Sequence, residues 1–207
     1  MLKYYMFHKP RGCITARRDE RHRTVMDYFP EESRDLIFPV GRLDKDTEGF
    51  LLITNDGELC FELMSPENEI PKTYFFWALG ELKEEKIKEI ESGVCIYKGR
   101  DFETAPAKIK LFKTSKLSDI KELLSEEDAK MSRRRGEMTV TAAYITITEG
   151  KKHQVKRMIR YAGCRVLYLK RVKIGNLPID PSLPRGSYRP LSLEELNLIR
   201  CKKTDNG

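Results

Sequence analysis

The chain has 207 residues, and its 39 lysines and arginines against 32 aspartates and glutamates give it a net charge of +7. Hydrophobic residues make up 40% of the chain, which is enough for a folded core in one or two domains. No apolar run approaches the ~20 residues of a membrane helix, and the N-terminus lacks the apolar stretch of a signal peptide. Membrane spanning and export are therefore disfavoured.

The cysteines are widely spaced, odd in number and without a Cys-x-x-Cys pair, which argues against a disulfide scaffold and a zinc knuckle. They are Cys13, Cys60, Cys95, Cys164 and Cys201. We expect reduced thiols in a cytoplasmic protein.

Strand and helix patterns alternate along the chain. A polar loop at 41–49 precedes a short buried strand, Asp56 is a candidate N-cap, and Ser192 to Glu195 forms a capping box. Strands are expected at 50–54, 72–79, 95–97, 107–112, 139–148 and 165–169, and helices at 57–64, 83–92, 153–162 and 193–200. From 72 to 169 this is the order of a ferredoxin-like split βαβ module. The predicted class is α+β, with a mixed, mainly antiparallel sheet.

The segment 114–137 interrupts this pattern. It is polar, and Ser132 to Gly136 is charged without periodicity. We expect a flexible insertion there, helical only near 120–124.

Positive charge is concentrated in two stretches. Residues 151–175 contain nine basic residues and no acid, interleaved with apolar ones, and a second basic stretch covers 9–23. An ordinary solvated basic face is one interpretation. The functional interpretation is a folded surface that binds a polyanion, and nucleic acid is the polyanion that we expect.

Asp44 is the candidate catalytic carboxylate. It lies in the loop between two predicted strands, where Arg42, Lys45 and Lys156 could keep it ionised. Spacing alone favours a turn aspartate that caps local backbone, and a glycosidase pair of Asp44 and Asp46 has no other support. No phosphate-binding loop or nucleophile triad is present, and the three histidines are too scattered to suggest a metal site.

Aromatic residues cluster in the strand predicted at 72–79. Core packing is the expected role of Phe75 and Trp77. Lys72 and Tyr74 are two residues apart and share a sheet face, an arrangement suited to stacking a base beside a phosphate.

Five ordered segments resemble RsuA-type ribosomal RNA pseudouridine synthases. Residues 41–57, GRLDKDTEGFLLITNDG, resemble the catalytic motif of that family. Residues 72–74, KTY, resemble its tyrosine motif, and residues 149–158, EGKKHQVKRM, resemble its third motif. The C-terminal signature resembles residues 165–175 followed by PRGSYRPL at 184–191, and the start of the catalytic domain resembles FHKPRG at 7–12. The resemblance covers about residues 4–200, apart from the insertion.

The resemblance implies a pseudouridine synthase fold of two subdomains, with a border near 65–70 and a central RNA-binding cleft. It implies isomerisation of an everted uridine in ribosomal RNA, without cofactor or metal. Asp44 corresponds to the catalytic aspartate, Tyr74 to the tyrosine that packs against the target base, and Lys156 to the basic partner of the aspartate, with Arg157 as the alternative. Arg42 fits a side chain that fills the space left by the flipped nucleotide.

RNA phosphates are expected to contact the basic residues of both stretches and Lys72. The predicted RNA-binding residues are Lys9, Arg11, Arg42, Lys72, Arg157, Arg160, Lys170 and Arg171. Residues 1–200 would be the catalytic domain and 201–207 a tail, without the S4 domain that many members carry. A cytoplasmic monomer acting on ribosomal RNA, a ribosomal subunit or an assembly intermediate is expected. The alternative is a non-catalytic RNA-binding or ribosome-assembly factor on the same fold.

Overall fold

The computed structural model describes residues 1–96 and 103–200. These residues form two compact units. Unit 1 comprises Met1–Lys72 and residues 170–200, and unit 2 comprises Thr73–Leu169. The predicted tail 201–207 and Tyr97, the end of one predicted strand, lie outside the described residues. Within the described ranges, no helix is long and apolar enough to span a membrane.

Nine strands and six helices make up the regular structure of the described residues. The strands are β1 Tyr4–Lys9, β2 Phe38–Pro39, β3 Glu48–Thr54, β4 Lys72–Leu79, β5 Lys108–Lys116, β6 Thr139–Ile147, β7 Arg165–Ile174, β8 Leu177–Pro178 and β9 Tyr188–Pro190. The helices are α1 Glu31–Arg34, α2 Gly57–Met64, α3 Glu84–Ser92, α4 Glu126–Arg135, α5 Gln154–Tyr161 and α6 Leu193–Arg200. Short 3₁₀ helices cover Val25–Tyr28, Pro66–Asn68 and Leu117–Leu123.

The sheet of unit 1 is built around β3, all seven residues of which are buried. In this unit the strand order is β7-β3-β1-β9, and β2 also pairs with β3. β1 and β3 are antiparallel, from Tyr4 opposite Thr54 to Lys9 opposite Gly49. β3 and β7 are parallel through Gly49 and Arg171. The apolar run 50–54 predicted as a buried strand is confirmed, since a strand with neighbours on both sides suits such a run.

A hydrophobic core covers one face of this sheet. It joins alternate residues of β3 to the apolar faces of α2 and α6, and α2 begins at the predicted N-cap. Its members include Met6, Phe50, Leu52, Leu59, Leu63, Ile174, Leu196 and Ile199. Asp56 Oδ1 accepts a hydrogen bond from the Leu59 amide at 3.0 Å. The predicted capping box of α6 is also confirmed, because the Glu195 amide donates to Ser192 Oγ at 3.2 Å while the Ser192 amide donates to Glu195 Oε2 at 2.9 Å.

Unit 2 has the predicted split βαβ arrangement. Its strand order is β5-β6-β4-β7, so the first and third strands of the module lie in the middle of the sheet. The first strand has the predicted bounds, 72–79, and the first helix ends before Gly93, whose φ of 107° suits a glycine. The α+β class with a mixed, mainly antiparallel sheet is confirmed.

Helix α4 is the main difference from the predicted elements. It begins after Ser125, whose Oγ accepts from the Asp128 amide at 3.2 Å. Acidic residues occupy its first turn and Arg133, Arg134 and Arg135 its last, a distribution that complements the helix dipole. Side chains of α4 and of the 3₁₀ helix Leu117–Leu123 join Trp77 in a second hydrophobic cluster. This helix was not predicted, because residues 126–135 have only weak apolar periodicity. Its start signal, Ser125, and its end signal, Gly136, are nevertheless present in the sequence.

Candidate active site

The predicted site residues are distributed over both units. Unit 1 holds Lys9, Arg11, Arg42, Asp44, Lys72, Lys170 and Arg171. Unit 2 holds Tyr74, Lys156, Arg157 and Arg160. Among the described residues, no group of three or more His, Cys, Asp or Glu side chains could hold a metal ion.

Asp44 lies in a loop held by hydrogen bonds from the segment after β1. The Gly12 amide donates to the carbonyl oxygen of Lys45 at 2.8 Å. Thr15 Oγ1 donates to the Leu43 carbonyl at 2.8 Å and accepts from the Leu43 amide at 3.1 Å. The carboxylate-bearing residue is half-buried, and its backbone position is therefore set by neighbours on both sides.

Lys9 is the central anchor of this loop. Its side chain is fully buried, and Nζ donates to the carbonyl oxygens of Pro10 and Asp44 at 3.0 Å and of Thr47 at 2.9 Å. Burial lowers the pKa of Lys9, and the nearby Cys13, Asp46 and Asp44 side chains partly offset this. The expectation that Lys9 contacts RNA phosphates is corrected, because its three N–H donors all go to main-chain oxygens.

Gly49 ends the loop at a close approach between β3 and β7. Its φ is 111°, and an added Cβ would overlap the main-chain oxygen of Arg171. Only glycine fits here, since both the backbone conformation and the space exclude a side chain. This contact positions the beginning of β3 directly after the Asp44 loop.

A buried carboxylate, Glu48, lies beside the same approach. It is 1% exposed and forms an ion pair with Arg185, with 3.2 Å between Oε2 and Nε. Lys170 is opposite Glu48 in the β3–β7 register. Burial lowers the pKa of Lys170, and Glu48 opposes that shift. Neither Glu48 nor Arg185 was predicted as a site residue, although both belong to segments that resemble the family motifs.

Arg171 and Lys72 are two cationic residues of unit 1 whose charges repel each other. Arg171 is 4% exposed, and its Nε donates to the Phe50 carbonyl oxygen at 2.7 Å. Its Nη2 is buried and has no hydrogen-bond partner among the described residues. Burial, followed by the charge of Arg171, lowers the pKa of Lys72 to about 8. Arg171 therefore differs from the exposed phosphate contact that was expected, because its guanidinium is inside the unit.

Tyr74 lies near the start of β4, a middle strand of the unit 2 sheet. Its side chain is 8% exposed in β4, and the register of the strand places it on the same face as the buried Phe76. A ring held this way has little rotational freedom, which suits a rigid contact with a planar partner.

The third motif forms a hydrogen-bonded turn followed by α5. Gln154 is buried, and its Nε2 donates to Glu149 Oε1 at 2.6 Å, while its Oε1 accepts from the Lys151 amide at 2.9 Å. Glu149 Oε1 also accepts from the Ala105 amide at 2.9 Å. This network was not predicted, and it sets the start of the helix that carries Lys156.

α5 has the predicted amphipathic pattern. Val155, Met158 and Ile159 are buried. Lys156 and Arg157 are half-buried and Arg160 is exposed, so the basic residues lie outside the apolar stripe. The helix thus presents several positive charges from a well-packed base.

Comparison with known proteins agrees with the motifs. Residues 3–161 match the RNA pseudouridylate synthase family. An uncharacterized RNA pseudouridine synthase of Bacillus subtilis is 43% identical over 197 residues, which is 95% of this chain and 72% of the relative. Ribosomal small subunit pseudouridine synthase A of Pseudomonas aeruginosa is 34% identical, over 94% of this chain and 73% of the relative.

Two further relatives agree. Ribosomal large subunit pseudouridine synthase B of Bacillus subtilis is 34% identical over 96% of this chain and 71% of its own length. A crystal structure of a pseudouridylate synthase superposes with a TM-score of 0.78 at 29% identity, covering 96% of this chain and 74% of that one. The chain belongs to the RNA pseudouridylate synthase family.

Proposed function

We propose that this protein isomerises a uridine of ribosomal RNA to pseudouridine. The observation that carries the proposal is its 34% identity, over most of its length, to synthases named for the small and for the large ribosomal subunit. In this reaction the C1′–N1 bond breaks and a C1′–C5 bond forms. C5 loses a proton and N1 gains one, so the reaction balances without an oxidant, a reductant or a co-substrate.

Asp44 is the proposed catalytic carboxylate. Its loop is held by the buried ammonium of Lys9 and by the Gly12 amide, so the backbone that carries the carboxylate does not have to be ordered when RNA binds. A pre-positioned carboxylate can attack or stabilise an electrophilic carbon of the target nucleotide.

Tyr74 and Lys156 complete the proposed catalytic residues. Tyr74 is suited to packing against the target base, because its ring lies in a rigid central strand. Lys156 is suited to supplying the positive charge that keeps a reacting carboxylate ionised, because it is half-buried on a helix whose start is held by Gln154.

The target base must leave its stack before it can react, which costs a few kcal/mol. Arg42 is exposed and two residues from Asp44, and we propose that its side chain occupies the space of the everted nucleotide. Arg11, Lys170, Arg157 and Arg160 are proposed to bind phosphates around the target.

The test is a search for new pseudouridine in ribosomal RNA. RNA from cells lacking the gene is incubated with the protein, treated with carbodiimide and reverse transcribed, so that stops mark pseudouridine. We expect one new stop with the wild type and with the matched control Asp46→Asn, an exposed residue of the same loop. Asp44→Asn should give no stop while still binding the RNA.

Two results would contradict the proposal. Absence of any new stop with naked RNA, subunits and assembly intermediates would exclude the ribosomal substrate. A stop of normal strength with Asp44→Asn would exclude Asp44 as the catalytic group. The same experiment distinguishes the preferred substrate, and sedimentation of the free protein tests the proposed monomer. A ribosomal substrate would place the reaction in the cytoplasm.

A further inference from the structure

One face of the unit 2 sheet carries a row of aromatic rings. Phe75 and Trp77 are two residues apart in β4, so both side chains lie on this face, with ring centroids 6.3 Å apart. Tyr144 of the neighbouring β6 lies 5.2 Å from Phe75, between ring centroids. The two middle strands of the sheet therefore present rings side by side.

A β-bulge in β5 adds two more residues to this face. Leu111 is opposite Ala143 and Lys113 is opposite Ala142, so Phe112 is the extra residue. The Phe112 ring centroid lies 6.2 Å from that of Phe75, and Lys113 Nζ lies 5.5 Å from the Trp77 ring centroid. Adjacent residues of β5 thus reach the same face, which regular alternation would not allow.

Among the described residues, side chains cover one end of the face and leave the other end accessible. Leu117, Ile120 and Leu124 pack on Trp77 and close that end. At the other end Phe75 and Tyr144 are half-buried, and Phe112 is 59% exposed. The ring cluster therefore opens to solvent at Phe112.

The open end is positively charged. Lys108 is opposite Thr146 and Lys110 is opposite Tyr144, and residues opposite one another in a ladder share a face. β5 contains no acidic residue, and among the described residues Lys108, Lys110 and Lys113 have no ion-pair partner. Lysines around exposed rings match the phosphates and bases of a single strand.

We propose that this surface, which we call the β5 surface and which consists of Lys108, Lys110, Phe112, Lys113, Phe75 and Tyr144, binds unpaired RNA nucleotides outside the target uridine by stacking at least one base on Phe112. A four-stranded sheet with aromatic side chains on its middle strands is an established way to hold single-stranded RNA. The inference rests on the proposed function only in taking RNA as the substrate.

Pairing with a second copy of the chain is less suited to this edge. The outward amide of Ile109 already donates to Glu91 Oε1 at 2.9 Å, so the edge of β5 is not free along its length. Two copies meeting at β5 would also bring their lysines together. Charge complementarity therefore favours RNA.

The test measures binding of a fluorescent 12-nucleotide RNA made only of adenosine and cytidine, which offers no target uridine. Phe112→Ala should weaken binding at least about fivefold, whereas Phe112→Tyr and Phe112→Trp should bind like the wild type, since each keeps a stacking ring. Phe61→Ala is the matched control, because Phe61 is a 77% exposed phenylalanine of α2 in unit 1 and belongs neither to the β5 surface nor to the predicted RNA-binding residues, so its loss should change nothing. A duplex of this RNA with its complementary DNA strand, which carries thymidine in place of uridine, should be affected less, since its base faces are already stacked.

Three results would overturn the inference: unchanged single-strand binding by Phe112→Ala, an equal loss for single strand and duplex, or a Phe112→Ala effect on the sedimentation of RNA-free protein. The last result would make the surface an interface between copies. The carbodiimide assay of the wild type decides the proposed function separately, because the binding RNA contains no uridine.

Discussion

The ammonium of Lys9 lies 3.0 Å from the main-chain carbonyl oxygen of Asp44, in a fully buried position. A cation that leaves water is retained where polar groups replace its solvation, and here three carbonyl oxygens do so. The loop of the proposed catalytic residue is thus attached to β1 by one side chain.

Lys9→Met should lower the free energy of unfolding by about 3 kcal/mol, because three carbonyl oxygens lose a charged donor and the buried oxygen of Thr47 loses the donor that Lys9 supplies. Denaturant unfolding monitored by circular dichroism measures this. Lys45→Met, at an exposed position in the loop, should change stability by less than about 0.5 kcal/mol. Equal stability of the two variants would show that the anchor contributes nothing.

Gly49→Ala should destabilise unit 1 strongly, by about 3 kcal/mol or more, because the new Cβ meets the main chain of Arg171 at a positive φ. Gly57→Ala is the matched control, since a Cβ there meets nothing within 4 Å and alanine favours the first turn of α2. Thermal unfolding compares the two. A normal melting temperature for Gly49→Ala would disprove the close approach of β3 and β7.

Lys72 should give the protein a characteristic dependence of stability on pH. Its pKa is about 8 when folded and 10.5 in the unfolded chain, so the unfolded state binds more protons between these values. Stability therefore rises with pH across that window as the charged form is lost. Relative to Lys72→Met, the wild type should gain unfolding free energy from pH 8 to pH 10 in denaturant titrations. A difference that stays constant with pH would mean that Lys72 has an ordinary pKa.

Arg160→Ala should weaken RNA binding at low salt and reduce the slope of log K against log salt concentration by about one. Without the exposed guanidinium of α5, the protein neutralises one RNA phosphate fewer, so the RNA releases about one counterion fewer. Filter binding over a range of KCl concentrations measures the slope. Lys88→Ala on α3 is the control, since Lys88 is paired with Glu84 at 3.0 Å and lies outside the predicted RNA-binding residues. An unchanged slope for Arg160→Ala would remove Arg160 from the RNA-binding surface.

Local patterns predicted the elements whose signals are short-range. The 153–162 periodicity corresponds to α5, and the capping residues Asp56 and Ser192 begin the helices expected of them. These signals depend on residues three or four apart, so they can be read without knowing what packs on each face. The family motifs, likewise, are contiguous segments, and the family they indicated is confirmed. The catalytic assignments of Asp44, Tyr74 and Lys156 stay predictions.

Pairing between distant segments decided which side chains are buried and on which face of the sheet they lie. From the sequence, Lys9 and Arg171 could not be distinguished from the cations of the surface. In the fold, β1 pairs with β3 and β3 pairs with β7, and the side chains of Lys9 and Arg171 are buried. The bulge that turns Phe112 and Lys113 to one face exists only against β6. Charge, periodicity and motif order are properties of neighbouring residues and were legible from the chain. Burial and the direction of a side chain depend on strands tens of residues away, so only the folded arrangement could assign each cation to the interior or the surface.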